Sequence, residues 1–317
     1  MGLKGLLAKA RGRGGVCRPA QRPATSPRWA NSFEPRCARR WARSRILLAA
    51  ADFDDTPSDG EVVPLTDTFV AAGSDSPYAG MKALVFGATG GCGKEIVKAA
   101  IMNGVPCSIF ARSKAKAEEQ FKDDIESSAA EGVYEGDVSR YEEVSKAVRA
   151  SGANTIFIAT GSRPALDPLG PFNVDYNGTA NIVGAASASG KVDRIVLITS
   201  IGVDDLLFPL NLFFGVLFWK KRAEEVLQRS GITYTIVRPG GLLDQPRAGS
   251  TTVEPIAMGP ADAYGLPPRK SPGSILRSQV AEVCLAAVVD EGAENKTVEI
   301  VTESGATTPL AELFSKM

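Results

Sequence analysis

The chain of 317 residues contains no histidine. That removes every Ser-His-Asp or Cys-His mechanism and every His-ligated metal site. Cysteine is sparse as well. Cys17 and Cys37 lie near the N-terminus, Cys92, Cys107 and Cys284 are far apart, and none forms a C-x-x-C pair. A disulfide framework or a zinc site is not expected, and reduced thiols suit the pattern. Acid is almost missing from residues 1–50. Glu34 stands alone against Arg11, Arg13, Arg18, Arg36, Arg39, Arg40, Arg43 and Arg45. The formal charge of the whole chain is zero, so everything after residue 50 is net acidic. An acidic body argues against nucleic acid, whose phosphates require a basic face. No apolar run reaches the roughly 20 residues of a membrane span.

The first fifty residues are rich in Arg, Ala, Pro and Ser, the composition of an organelle transit peptide, and no apolar core follows their first basic residues as secretion would require. Cleavage is expected between residues 45 and 78. Residues 51–80 turn acidic and Gly/Ser/Pro-containing, as in a flexible linker. Folded structure is expected from Met81, and the apolar fraction of 44% is enough for one sizeable core over 81–317.

Short apolar runs then alternate with helical periodicity. Ala83–Phe86 reads as a central parallel strand buried on both faces. Further strands are expected at Cys107–Phe110, Gly132–Tyr134, Thr155–Ile158, Ile195–Ile198, Thr233–Val237 and Thr297–Val301. Helices are expected at Glu95–Met102, Tyr141–Ala150, Asn173–Ser189, Trp219–Gln228 and Ser278–Val289. This rhythm predicts an α/β fold, a doubly wound Rossmann-type parallel sheet of about seven strands. Residues 245–275, which show little pattern, are expected to form a small C-terminal cap over the cleft. Ligands bind such sheets beyond the carboxyl ends of the strands, where strand order reverses.

The first strand is followed at once by Gly87-Ala88-Thr89-Gly90-Gly91-Cys92-Gly93 and a helix. Gly87 permits the tight turn, Gly90 lets backbone N–H groups approach a diphosphate, and Gly93 lets helix and strand pack closely. The helix N-terminus adds positive potential toward the phosphates. At the end of the second strand stands Phe110-Ala111-Arg112-Ser113-Lys114, with no acid to take the 2′-hydroxyl of NAD. Arg112 is suited to a 2′-phosphate, so NADP is the expected cofactor.

These residues carry a family resemblance. The GATGGCG loop, Gly136-Asp137-Val138 after the third strand, Ala159-Thr160-Gly161 after the fourth and Val174-Asp175-Tyr176-Asn177-Gly178-Thr179 resemble the NmrA-like atypical short-chain dehydrogenases. The stretch Asn211–Leu243 is similar to plant and algal plastid members, including the dehydrogenase-like subunit of the chloroplast import translocon. The resemblance implies that Asp137 contacts the adenine, that Ala159 and Gly161 line the adenosine ribose, and that Val138 and Thr160 also belong to the cofactor site. It further implies that Ser200 is the catalytic serine, that Lys220 holds the nicotinamide ribose, and that Pro239-Gly240-Gly241 passes the nicotinamide. It also implies a chloroplast protein, stromal or membrane-associated. Other readings stand beside these: Ser200 as a strand-end turn residue, and Lys220 as a surface partner of Glu224 one helical turn on.

One departure matters. The orthodox pattern is Tyr-x-x-x-Lys, and Val216 stands four residues before Lys220. Phe218 and Trp219 cannot replace the phenolic acid. Residues 206–219 are strongly apolar and read either as a buried helix start and pocket wall or as a surface that docks on a plastid membrane or protein partner. The expected function is an NADPH-dependent reductase of a small or lipophilic substrate, with a non-catalytic NADP(H) redox-sensing or assembly module as the alternative.

Overall fold

The computed structural model describes residues 76–126, 130–162, 167–212, 214–246, 253–305 and 307–317. The expected transit peptide and nearly all of the expected linker lie outside the described residues, as does Phe213 of the apolar segment.

In chain order the elements are β1 (Ala83–Phe86), α1 (Gly91–Met102), β2 (Cys107–Ala111), α2 (Lys114–Gln120), α3 (Lys122–Glu126), β3 (Ala130–Glu135), α4 (Tyr141–Ser151) and β4 (Thr155–Ile158). A π-helical turn at Pro171–Gly178 leads into α5 (Thr179–Ser189), followed by β5 (Arg194–Ile198), a 3₁₀ turn at Pro209–Leu212, α6 (Val216–Gln228) and β6 (Thr233–Pro239). The remainder is β7 (Gly241–Leu243), β8 (Ile256–Pro260), β9 (Ser274–Leu276), α7 (Arg277–Val289), a 3₁₀ turn at Glu291–Ala293, β10 (Lys296–Thr302) and α8 (Leu310–Ser315).

The strands order as β3-β2-β1-β4-β5-β6-β10-β8, and β7 pairs with β9 in a small second sheet. All pairings in the large sheet are parallel except β10 with β8. The doubly wound expectation therefore holds, with eight strands in place of seven. The eighth comes from the cap region: β8 runs antiparallel along β10, with Val298 opposite Pro260 and Thr302 opposite Ile256. Its Gly259 and Pro260 carry little strand preference, and an edge position tolerates them.

Strand alternation divides the core into two layers. Ala83 and Val85 pack with Ile96, Val97 and Val280 on the α1/α7 face. Leu84 and Phe86 pack with Val144, Val148 and Ile182 on the α4/α5 face. All four β1 residues are buried, and Phe86 meets Phe110 of β2 at 4.8 Å between ring centroids. Side chains of this size contribute about 1.5–3 kcal/mol each when fully buried.

The order reverses between β1 and β4, which places a crevice at their carboxyl ends. Helices also begin earlier than expected, α1 at Gly91 where Glu95 was expected. The Asn173 helix is preceded by the π turn from Pro171, and α6 starts at Val216, so Val216 and Lys220 share one helical face.

Candidate functional site

The glycine loop lies at the crevice. Gly87 has φ +78°, and a β-carbon on it would come within 2.6 Å of the carbonyl oxygen of Ala159, which follows β4. A β-carbon on Gly93 would come within 2.2 Å of the Gly87 carbonyl oxygen, so α1 packs against the turn as the spacing required. Gly90 caps α1 without a side-chain hydrogen bond, and no acid occupies the helix's first turn. The N-terminal N–H groups are thus presented to a ligand without a competing carboxylate.

Across the crevice, Thr160 Oγ1 and Ser162 Oγ are buried with no hydrogen-bond partner among the described residues. A methyl group on Gly161 would meet nothing within 4 Å. Open glycine backbone on one side and orphaned hydroxyls on the other fit a dinucleotide whose phosphates and ribose hydroxyls supply the missing partners. Thr89 and Cys92 contribute backbone to the loop. The Cys92 side chain packs against the core, and burial pushes its thiol up to about 11, so it stays neutral.

Arg112, expected to meet a 2′-phosphate, is exposed just after β2. Burial pushes the Asp137 carboxyl up, but the Ser139 hydrogen bonds and then the Arg112 charge outweigh it and hold it below its ordinary value. Asp137 Oδ1 accepts from Ser139 N at 2.8 Å, closing its own turn. Val138 has its side chain and carbonyl engaged within the protein. Its side chain is buried against Gly178, and its carbonyl accepts from Asn181 Nδ2 at 2.8 Å.

Lys220 does not pair with Glu224. Its ammonium donates to Asp175 Oδ1 at 2.6 Å, with the carboxylate 1% exposed. Asp175 Oδ2 accepts from Ser162 N at 3.2 Å, and Thr179 Oγ1 donates to the Asp175 carbonyl at 2.7 Å. One buried carboxylate thus joins α6 to the loop after β4. It sits in the π turn, an irregularity frequent at functional sites. Beside this pair, Trp219 packs against Phe172 at 4.8 Å and Tyr176 at 5.6 Å, forming an aromatic wall.

Ser200, just past β5, is half-buried, and its hydroxyl donates to the Ile201 carbonyl at 3.1 Å. Ile201 N donates to Pro239 O at 3.1 Å, which brings the Ser200 loop beside Pro239-Gly240. A β-carbon on Gly240 would come within 2.2 Å of Pro272 O, so only glycine lets β7 leave the sheet here.

A buried ionic cluster frames these residues. Arg238, within β6, donates through Nε to Glu224 Oε1 at 3.0 Å and through Nη2 to Glu224 Oε2 at 2.7 Å. Its Nη1 lies 2.7 Å from Asp204, 3.4 Å from Glu299 and 3.5 Å from Asp262. Burial opposes the Arg238 charge, but Glu224, Asp204 and Glu299 hold it above the ordinary guanidinium value. Burial raises the Glu299 carboxyl against hydrogen bonds from the backbone N–H groups of Tyr264 and Asp262. Thr199 Oγ1 donates to Glu224 Oε1 at 2.6 Å. Glu224 therefore ties the residue beside Ser200 to the helix that carries Lys220. Sequence alone places Asp175 only within a motif and Glu224 only as a surface partner of Lys220, and it does not single out Arg238 or Glu299.

The apolar segment is mixed. Leu217 is buried and Phe208 covers Gly202, whereas Leu206, Leu207, Leu210, Leu212 and Phe214 are exposed. The buried-wall expectation thus fails for the first half of the segment. Among the described residues, no helix is long and apolar enough to cross a membrane, and no cluster of three or more His, Cys, Asp or Glu could hold a metal.

Comparison with known proteins places this geometry. The family model for NAD(P)H-binding proteins matches residues 87–291. An uncharacterised chloroplastic protein of Arabidopsis thaliana is 36% identical over 234 residues, covering 71% of this chain and 78% of its own. The chloroplastic protein TIC 62 of Oryza sativa subsp. japonica is 37% identical over 242 residues, 70% of this chain. The chain spans 47% of that relative's length, about half. A solved structure from Bacillus halodurans, described as an NAD-dependent epimerase/dehydratase, superposes with a TM-score of 0.61 at 25% identity, over 75% of this chain and all of that one. Both relatives are chloroplastic proteins, in agreement with the plastid address read in the basic leader.

Proposed function

The chain belongs to the NAD(P)H-binding family and shares the chloroplast of its relatives, and on that basis we propose that it is an NADPH-dependent reductase of a small or lipophilic substrate. The observation that carries the reading is the buried Lys220–Asp175 pair, on the helix that Glu224 ties to Thr199, the residue before Ser200 at the carboxyl end of β5. A lysine kept in such a place by a nearly inaccessible carboxylate is costly unless its remaining donors are used. One N–H of Lys220 goes to Asp175, and two remain for the nicotinamide ribose hydroxyls. Bound NADPH supplies a hydride. The Ser200 hydroxyl turns from the Ile201 carbonyl to donate to the substrate oxygen that gains negative charge. With valine at position 216, the final proton comes from water or from the substrate itself. The Phe172–Tyr176–Trp219 wall supplies apolar surface beside the reacting end. Arg112 makes NADP the preferred cofactor.

A second reading, a non-catalytic NADP(H)-responsive or assembly module at a plastid membrane or protein partner, is favoured by Val216 and by the exposed Leu206, Leu207, Leu212 and Phe214. One series of measurements separates the two: NADPH titration of the mature protein, then NADPH oxidation with quinones, aldehydes and enones. In a reductase, Ser200→Ala lowers turnover by about 10²-fold or more and leaves NADPH affinity intact, while Lys220→Ala weakens NADPH. Tight NADPH binding with no oxidation in any arm, and partner binding that differs between NADPH and NADP⁺, would replace the reductase by the module. Robust turnover indifferent to both substitutions would show that the active site lies elsewhere.

A further inference from the structure

Gly91 opens α1 in the middle of the glycine loop, and the Arg277 side chain lies across it. A methyl group on Gly91 would meet Arg277 Nε at 2.4 Å and Cδ at 2.7 Å. Arg277 comes from far along the chain, as the first residue of α7. Its guanidinium pairs with Asp244 at 2.8 Å, on a carboxylate that is 82% exposed.

This is an unfavourable place for a lone cation. Helix N-termini carry partial positive charge, and Arg277 lies at the N-terminus of α7 while covering that of α1. Neither helix has an acid in its first turn, and no side chain caps α1. The exposed ion pair to Asp244 contributes little against this. Nor is the pair needed to join the segments it spans. β7 and β9 are already paired from Gly241–Ser274 to Leu243–Leu276, and Gly241 N donates to Gly273 O at 3.0 Å. Beside the loop, burial pushes the Cys92 thiol up, while the charges of Arg277 and then Lys220 act against this and those of Asp244 and Glu95 with it. Two helix termini and a guanidinium around open glycine backbone call for an anion with more than one oxygen, which arginine can bind through two donors.

We propose that Arg277 is a phosphate-binding residue of the dinucleotide site, and that its guanidinium exchanges Asp244 for the diphosphate of the cofactor across Gly91. The inference rests on the glycine loop being the dinucleotide site and adds to it a residue nearly two hundred positions away. Asp244 then acts as a resting partner that competes with the phosphates.

Calorimetric titration of the full chain with NADPH and with NADH tests this. Arg277→Ala is expected to weaken both cofactors alike, by roughly 10- to 100-fold, the scale for losing a hydrogen bond to a charged group. Asp244→Asn is expected to leave both affinities unchanged or a few-fold tighter. Arg277→Lys, which keeps the charge without the fork, is expected to fall between wild type and alanine, and its melting temperature checks that the fold is intact. A loss confined to NADPH would move Arg277 to the 2′-phosphate and overturn the proposal. So would an unchanged or tighter Arg277→Ala, which would make the guanidinium a bystander or an obstruction. A loss in Asp244→Asn as large as in Arg277→Ala would show that the pair is architectural. If wild type binds neither cofactor, the glycine-loop reading fails and this inference with it. If wild type binds and Arg277→Ala binds equally, only this inference fails.

Discussion

Arg238→Met tests whether the ionic cluster holds the site in register. Methionine fills much of the arginine's volume, so the perturbation is chiefly the loss of charge and hydrogen bonds. Glu224 and Glu299 are both fully buried, and each faces the Arg238 guanidinium. Without it, Glu224 keeps the Thr199 hydroxyl and the more distant Lys221 at 3.8 Å, while Glu299 keeps, among the described residues, the backbone N–H groups of Asp262 and Tyr264. Breaking one side of a buried ionic group costs about 3–5 kcal/mol, because the remaining charge is stranded. At about 2–4 °C per kcal/mol for a domain of this size, the melting temperature falls by roughly 10 °C. The assay is urea and thermal unfolding at pH 8 without NADPH, since bound ligand would add stability of its own. Two further outcomes are required. The double variant Arg238→Met/Glu224→Gln should be less damaged than the sum of the singles, because one stranded anion is gone. The deficit should also shrink as pH falls into the carboxylate range, where a protonated glutamic acid needs no cation. A loss under about 1 kcal/mol, the range of exposed pairs, would refute the reasoning.

Three other expectations follow from the same geometry. Arg112→Ala should weaken NADPH by about 1.5–3 kcal/mol and leave NADH nearly unchanged, and equal losses would reject its pairing with a 2′-phosphate. Burial pushes the Asp204 carboxyl up, but its hydrogen bond from Lys221 and the Arg238 charge outweigh this and hold it below the ordinary value. A lowered carboxyl contributes stability that is present above the unfolded value near ~3.9 and lost as pH falls through the native one. Asp204→Asn should therefore unfold at lower urea than wild type at pH 7, with the gap closing below about pH 4. A gap constant down to pH 3 would assign the loss to geometry instead of charge. Leu207, Leu212 and Phe214 are exposed, so their serine variants should change stability by no more than about 0.5 kcal/mol each while reducing pelleting with plastid membranes. Losses of several kcal/mol would return them to the core, and unchanged pelleting of a stable triple variant would end the docking idea.

What could be read in advance depended on whether a residue's role is local. Ala83–Phe86 is legible because a parallel strand covered on both faces must be apolar throughout, and the glycine loop is legible because turn, phosphate approach and helix packing all fall within seven residues. Lys220 and Ser200 were found through resemblance alone. Asp175 stands within a family motif but without a legible role, because nothing local shows that its partner lies 45 residues on. Two charges did carry a signal that went unused. Arg238 interrupts Thr235-Ile236-Val237-Arg238-Pro239, and Glu299 interrupts Val298-Glu299-Ile300-Val301, both in strands otherwise fit for burial. A charge inside such a strand must find an opposite charge, and the two interruptions fall opposite each other in the β6–β10 register. Arg238 is the next-to-last residue of β6, and Glu299 faces it from the middle of β10, level with the carboxyl edge of β6, the side where this fold binds its ligands. Charged interruptions at that end of central strands can therefore be sought directly in sequence, as the anchors that hold the residues of a site in place.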